Sequence, residues 1–210
     1  MLKILIADDH PVVCRGLKQI LAETPGFAMA DEAHSGKEVL DKIRQKDYDV
    51  ALLDIAMPDM NGVDVLKELR RQNPELPVLI LSIYPEEQYA IRVLKAGASG
   101  YLTKDSAPDE LTTAIQKVAS GRRYISPSLA DRLALNLQTN IEILPHEALS
   151  DREYQVMCLI ASGKATGDIA KALSLSAKTI STYRAHILRK MQMKNNYELI
   201  RYVLQNGLSI

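Results

Sequence analysis

The chain has 210 residues, 47% of them apolar and 25% charged, with 26 Lys and Arg against 26 Asp and Glu, which places it among globular proteins of one large or two modest domains. No apolar run nears the roughly 18 residues of a membrane span, and Met1 leads into strand-like LKILIA rather than a signal-peptide core, so the expectation is a cytoplasmic chain with no membrane partner. The two cysteines, Cys14 and Cys158, lie far apart in apolar-periodic segments and read as buried thiols rather than a disulfide framework or a zinc site.

The zero net charge is an average over unlike halves. Residues 1–148 carry 17 Lys and Arg against 22 Asp and Glu, and residues 149–210 carry 9 against 4. An acidic body of −5 is joined to a basic tail of +5, and a basic tail is what a polyanionic partner requires.

Taken in chain order, the first 120 residues alternate between short β-rich runs and amphipathic stretches. Strands are expected at Lys3–Ala7, Phe27–Glu32, Val50–Asp54, Val78–Ser82 and Gly100–Thr103, and helices at Pro11–Glu23, Gly36–Gln45, Val63–Gln72, Glu86–Ala96 and Ala107–Ala119. Ser35 with Glu38 and Ser106 with Asp109 have capping-box spacing, Pro11 suits a first helical turn, and Gly97 suits a helix stop. Five β–α pairs joined by short connections imply a mostly parallel sheet with helices on both faces. Ser126–Leu135 is a further expected helix. The aperiodic stretch after it, with Pro145, places a linker at about 136–148 within a boundary region of 121–148. The tail reads as four helices: one after a Ser150/Glu153 capping box, then Asp168–Leu173, Ala177–Met191 and Asn196–Gln205.

In an open α/β sheet the ligand site lies beyond the carboxyl ends of the strands. Asp8 and Asp9 follow the first strand and Asp54 ends the third. If those strands are neighbours, three carboxylates converge, and a divalent oxygen-seeking cation such as Mg²⁺ relieves their repulsion. Ser82 ends the fourth strand and Lys104 follows the fifth; a hydroxyl and a compact positive charge there suit phosphoryl oxygens. Taken singly, each of these residues reads as a solvated loop residue or a local cap.

The acidic pair in IADDHP, Asp54 in LLDIAMPDMNG, Ser82 in LILS, and GASGYLTK around Tyr101 and Lys104 resemble together a response-regulator receiver domain, over residues 1–120. The resemblance implies a flavodoxin-like, doubly wound, five-stranded parallel sheet of order 2-1-3-4-5. It also implies that Asp54 accepts phosphate from a sensor histidine kinase, and that Asp8, Asp9, Asp54 and the Ala56 carbonyl surround Mg²⁺. Lys104 would bind the acyl phosphate, with Ser82 and Tyr101 as a switch pair. The strand then holds Asp54 as an in-line nucleophile, and the Met57-Pro58 and Asn61-Gly62 pairs shape the loop beside it. Asp59 reads as a solvated rim residue.

In the tail, Ile180, Tyr183, Ile187 and Met191 recur at three- and four-residue spacing and line a core face, leaving Lys178, Ser181, Thr182, Ala185 and Arg189 on the other side. LSDREYQVMCLIASG, followed by GDIAKALSLSAKTISTYRAHILRKM, resembles a LuxR-type helix-turn-helix domain over 149–210. Paired with a receiver it is similar to the NarL/FixJ family, and Ser-Thr-Tyr-Arg after Lys-Thr-Ile to that family's GacA/UvrY-like branch. Three positions depart from the pattern: Ser181 stands where lysine is common, Tyr183 where histidine is, and Asn196 where arginine is. The expected DNA-facing set is Lys178, Thr179, Ser181, Thr182, Arg184, Ala185 and Arg189. Lys178 and Arg189 suit phosphates, Thr182 and Ala185 suit thymine methyls, and Ser181 suits a base or a phosphate. Arg184 borders the two faces, with DNA contact and a helix-surface salt bridge both open.

Together the two resemblances imply a phosphorylation-activated, DNA-binding transcriptional regulator, not an enzyme, with a histidine kinase and double-stranded promoter DNA as expected partners and a homodimer as the expected phosphorylated form. The rival from another class is a phosphoacceptor whose helical tail docks a protein. A phosphatase or nuclease is disfavoured because no separate base for activating water is evident.

Overall fold

The computed structural model describes residues 1–210 except Met29, Pro58, 132–143 and 209–210, together with the side chains of Glu87 and Gln88. The chain divides into two compact units, Met1–Leu129 and Ala130–Ile210.

In the first unit, β1 (Ile4–Ala7), β2 (Asp31–Ala33), β3 (Val50–Asp54), β4 (Val78–Ser82) and β5 (Gly100–Thr103) form one parallel sheet of order β2-β1-β3-β4-β5. Parallel neighbours need crossovers, and α1 (Pro11–Ala22), α2 (Gly36–Gln45), α3 (Gly62–Gln72) and α4 (Glu86–Lys95) supply them, with α5 (Ala107–Ala119) following β5. Ile4, Ile6, Val50, Leu52, Leu79, Leu81 and Leu102 share one core with Cys14, Leu17 and Leu21 of α1 and Leu111, Ile115 and Val118 of α5. Successive side chains of a strand point to opposite faces, so Leu5, Ala51, Leu53 and Ile80 face the other way, where α2 and α3 pair. Burial on both faces explains why β1, β3 and β4 are continuous apolar runs.

Two local expectations need correction. The second strand is not Phe27–Glu32: the ladder with β1 runs from Leu5↔Asp31 to Ala7↔Ala33, while Phe27 makes one isolated bridge to Leu2. The apolar run at 27–30 marks burial of Phe27 and Ala30, not hydrogen-bond register. Ser106 does not cap α5 with its side chain. Its backbone is already helical, and its hydroxyl turns to the Thr103 carbonyl at 3.2 Å and the Thr103 hydroxyl at 2.8 Å. Ser35 does cap α2 through the Glu38 N–H at 3.2 Å, and Glu38 reaches back to the His34 N–H at 2.8 Å. Past α5, Tyr124 donates its N–H to Ser99 O at 2.9 Å and bridges Gly100, where an added Cβ would meet Tyr124 at 2.8 Å.

Of the expected helix at 126–135, residues 127–131 are helical and Ser126 precedes the helix, its hydroxyl accepting the Leu129 N–H at 3.1 Å; residues 132–135, and the expected linker through 143, lie outside the described residues. The second unit holds a 3₁₀ turn at Pro145–Ala148 and then α6 (Asp151–Ala161), α7 (Thr166–Ala172), α8 (Ala177–Lys190) and α9 (Asn196–Gln205). The Ser150/Glu153 capping box is formed in both directions. α8 packs on α6 and α7, and α9 on α6. No helix among the described residues is long and apolar enough to cross a membrane.

Candidate functional site

Strand order reverses between β1 and β3, which places a crevice at their carboxyl ends. Asp8 follows β1 and Asp54 ends β3; each is only 1% exposed. Lys104 follows β5, donates its N–H to Ser82 O at 2.8 Å, and sends its ammonium to Asp8 Oδ2 at 2.6 Å and Asp54 Oδ2 at 2.9 Å. Asp9 is more open. His10 Nδ1 lies 2.9 Å from Asp9 Oδ1 and 3.2 Å from Asp8 Oδ1, and the His10 N–H donates to Asp8 Oδ1 at 2.9 Å. One potential ligand atom from each of Asp8, Asp9, His10 and Asp54 falls within 4.8 Å of the others. His10 was absent from the expected set; its place beside the acidic pair in ADDHP was the available signal.

Charge decides what this cluster can hold. Burial pushes the Asp54 carboxyl above its ordinary range, the Lys104 ammonium opposes that, and the Asp8 carboxylate adds to it. Burial alone would lower Lys104, but the carboxylates of Asp54 and Asp8 hold it protonated. One lysine thus faces two fully buried acids with a third at the rim. Asp54 Oδ1 is buried and has no hydrogen-bond partner among the described residues. A buried carboxylate oxygen left that way costs free energy until a cation or donor reaches it. Hard oxygen donors with unmet charge fit Mg²⁺: Asp8, Asp9 and Asp54 would hold it, and bound there it would supply positive charge against an incoming phosphoryl group. Ala56 sits in the loop two residues past Asp54, and a backbone hydrogen bond from it favours the charged form of the Asp54 carboxylate.

The loop after β3 is held rather than loose. Gly62 opens α3 so close to β3 that an added Cβ would lie 2.1 Å from Asp54 O, and its N–H donates to Ile55 O at 2.9 Å. Asn61 Oδ1 caps α3 through the Val63 N–H at 2.8 Å. Asp59, expected to be merely solvated, instead accepts from the N–H groups of Gly36 at 2.8 Å and Lys37 at 3.0 Å, tying the loop to the start of α2. Beyond β4, Ser82 Oγ accepts the Tyr84 N–H at 3.1 Å, and the Tyr101 phenol, wholly buried, donates to Tyr84 O at 2.7 Å. Ser82 and Tyr101 therefore meet on the backbone of one residue, Tyr84, with Tyr101 turned inward.

In the second unit, Ile180, Ile187 and Met191 are buried as expected, whereas Tyr183 is half-buried and lines a shallow concavity with Lys178, Thr182 and His186. Lys178, Ser181, Thr182, Arg184, Ala185 and Arg189 are exposed along α8. Thr179 is half-buried, and its hydroxyl pairs with Ser176 Oγ at 2.8 Å within the helix cap. The Ser181 hydroxyl donates to Ala177 O at 3.0 Å and that of Thr182 to Lys178 O at 3.1 Å, leaving each oxygen outward as an acceptor. Arg184, open between two roles, is exposed and makes no salt bridge among the described residues; its Nε donates to Asn196 Oδ1 at 2.6 Å.

Residues 4–116 match the response regulator receiver domain, and residues 147–203 match the bacterial regulatory proteins of the luxR family. Over 209 residues the chain is 35% identical to the response regulator GacA of Pseudomonas syringae pv. syringae (strain B728a), covering 99% of this chain and 98% of that protein. It is 32% identical to the response regulator UvrY of Escherichia coli (strain K12) over 99% of this chain and 96% of that one. Among solved structures it resembles RcsB from Salmonella enterica serovar Typhimurium bound to promoter rprA in the presence of phosphomimetic BeF3-, with TM-score 0.66 and 25% identity over 96% of this chain and 97% of that chain. The chain belongs to the two-component response regulators of the NarL/FixJ family, which join a receiver to a luxR-type DNA-binding domain and are transcription factors rather than enzymes.

Proposed function

We propose that this regulator is switched by transfer of a phosphoryl group to Asp54 from a sensor histidine kinase and that it then binds double-stranded promoter DNA as a homodimer. The carrying observation is the Lys104 ammonium bridging Asp8 and Asp54 at 2.6 and 2.9 Å while Asp54 Oδ1 is left unsatisfied. In the transfer, an Asp54 carboxylate oxygen bonds to phosphorus as the donor's bond to phosphorus breaks, and the donor departs with that electron pair. Lys104 then swaps a carboxylate for a phosphoryl oxygen, the charge-stabilising role that positioned cations play in phosphoryl transfer. Asp8, Asp9, Asp54 and the Ala56 carbonyl are the proposed Mg²⁺ ligands. Residues 1–120 are the proposed receiver, 121–148 the connecting segment and 149–210 the DNA-binding domain.

Ser82 and Tyr101 are the proposed switch pair, because both engage Tyr84 at the start of the loop into α4. On α8, Lys178, Arg184 and Arg189 suit phosphates; Thr182 and Ala185 suit thymine methyls; Ser181 and Thr179 flank them. The solved RcsB relative bound to a promoter supports this reading of α8. Two helices on one dimer fit half-sites one helical turn apart.

The test is phosphorylation by a small acyl-phosphate donor with Mg²⁺, followed by intact-mass and peptide mass spectrometry. A labile phosphoryl group on Asp54, absent in Asp54→Asn, is expected; a label elsewhere overturns the assignment. Duplex affinity should fall steeply with salt, roughly as the number of phosphates contacted. No duplex association at low salt would leave a protein-docking tail as the better reading.

A further inference from the structure

Three metal-ligating side chains that the sequence keeps apart, Cys14 on α1, Glu32 on β2 and His34 just beyond it, bring donor atoms within 4.8 Å of one another. None of the three belongs to the carboxylate cluster. Among the described residues they meet it at the backbone of Asp8, whose carbonyl faces the Cys14 thiol at 3.5 Å and His34 Nδ1 at 3.0 Å. A carbonyl oxygen can only accept, so the hydrogen-bond network assigns a proton to Nδ1. In the neutral ring Nε2 is then a lone pair, and it faces another acceptor, Glu32 Oε2, at 3.4 Å. Two acceptors opposed in that way call for a positive charge between them or on one of them. The other Glu32 oxygen, Oε1, is occupied by Lys18 Nζ at 2.6 Å, which fixes the carboxylate with Oε2 toward His34.

The metrics suit a small ion. Two donors about 2.0–2.1 Å from a tetrahedral Zn²⁺ lie roughly 3.4 Å apart, and the Glu32–His34 separation matches that edge. A ligating histidine whose other N–H is given to a backbone carbonyl is the arrangement that orients imidazole toward a metal. Thiolate and imidazole together select a borderline-soft ion, in contrast to the all-oxygen set of Asp8, Asp9 and Asp54. Cys14 forms the buried floor, and the half-exposed His34 ring forms the mouth.

We propose that Cys14, Glu32 and His34 form a second cation site, separate from the phosphoacceptor pocket, for Zn²⁺ or another thiolate- and imidazole-seeking divalent ion, with water as the fourth ligand. On loading, the Cys14 S–H bond breaks, its proton leaves to solvent, and the sulfur's electron pair bonds the ion; nothing is oxidised or reduced. Without the ion, burial first and then the charges of Asp8 and Glu32 push the thiol up to about 11, which keeps it protonated and unreactive.

The full chain, with Mg²⁺ saturating the oxygen site, should be titrated with Co²⁺ as a spectroscopic probe and then with Zn²⁺. One Co²⁺ per chain with a thiolate-to-cobalt charge-transfer band, displaced by Zn²⁺, is expected. The band should vanish in Cys14→Ser and persist in Cys158→Ser, whose sulfur lies in the other unit. His34→Gln, at a half-exposed position that tolerates the change, should weaken Co²⁺ at least about tenfold; it carries the test should Cys14→Ser fail to fold. A saturated wild type with no thiolate band, a band that survives in Cys14→Ser, or a His34→Gln affinity equal to wild type would each overturn the site, leaving a protonated His34 paired with Glu32.

Discussion

Asp54 of the first unit and Glu153 of the second are buried almost equally, at 1% and 4% exposure, and their surroundings treat them in opposite ways. Glu153 Oε2 accepts the Ser150 N–H at 2.7 Å and the Lys190 ammonium at 2.6 Å, and its Oε1 lies 3.8 Å from His186 Nδ1. Burial alone would raise that carboxyl, but Lys190 and the Ser150 backbone and hydroxyl hold it below its usual range. Asp54 shares Lys104 with Asp8, leaves an oxygen unmet among the described residues and is raised. Burial of an acid therefore says little about its role. Whether its lone pairs are satisfied separates a carboxylate that holds a fold together from one kept ready for a ligand.

Mg²⁺ should separate the two most sharply. An ion that binds only the folded receiver stabilises it by about 2.7 kcal/mol at a hundredfold excess over Kd, and it should leave the helical unit unchanged. Differential scanning calorimetry of the full chain checks this: the receiver transition should rise with Mg²⁺ in wild type and stay fixed in an Asp8→Asn/Asp54→Asn double variant. Equal shifts in both proteins would place the ion elsewhere.

Next in size is the structural acid. Glu153→Ala removes half of a capping box and the partner of Lys190, a loss of about 2 kcal/mol read as faster amide exchange across α6. The accompanying pH dependence has a definite sign. The folded pKa lies below the ordinary value of 4.5, so the stabilisation is fully present above 4.5 and is lost as pH falls through the folded value. Glu153→Gln should be less stable than wild type at neutral pH, with the gap closing in acid.

The two acids were not equally legible in the chain. Glu153 could be read locally, since Ser150 and a glutamate three residues on form a spacing that the backbone then obeys. Lys190, 37 residues away, could not. The strands β3 and β4 were legible to the residue because burial on both faces makes them nearly continuous apolar runs, whereas edge strand β2 was displaced because its half-buried DEA pattern follows ladder register rather than hydropathy. Asp8, Asp54 and Lys104 could be placed on one rim from their positions at strand ends, and the strand order that makes β1 and β3 neighbours came from the family resemblance. The work of Asp59 at the start of α2 was invisible, because an acceptor 23 residues from its donor leaves no local pattern. The approach of Cys14 to Glu32 and His34 was hidden for the same reason.

The smallest effect has the most informative sign. Removing a buried charge ordinarily destabilises a protein, as argued for Glu153, but the folded pKa of Asp54 lies above its ordinary 3.8, so its ionised form is a cost to the metal-free receiver. That cost is fully present above the folded pKa and disappears below the unfolded value, where both states carry the proton. Asp54→Asn keeps the shape, removes the repulsion against Asp8, and leaves Asp8 to hold Lys104 at 2.6 Å. Chelator-treated Asp54→Asn should therefore be more stable than wild type at neutral pH by about 1 kcal/mol in urea titrations, with the difference shrinking toward pH 3.8. Saturating Mg²⁺ should reverse the ranking, because the oxygen that costs stability without the ion is the one the ion would use. If Asp54→Asn proved less stable than wild type in chelator, the Lys104 bridge would outweigh the repulsion, and Asp54 would stand with Glu153 as a structural acid.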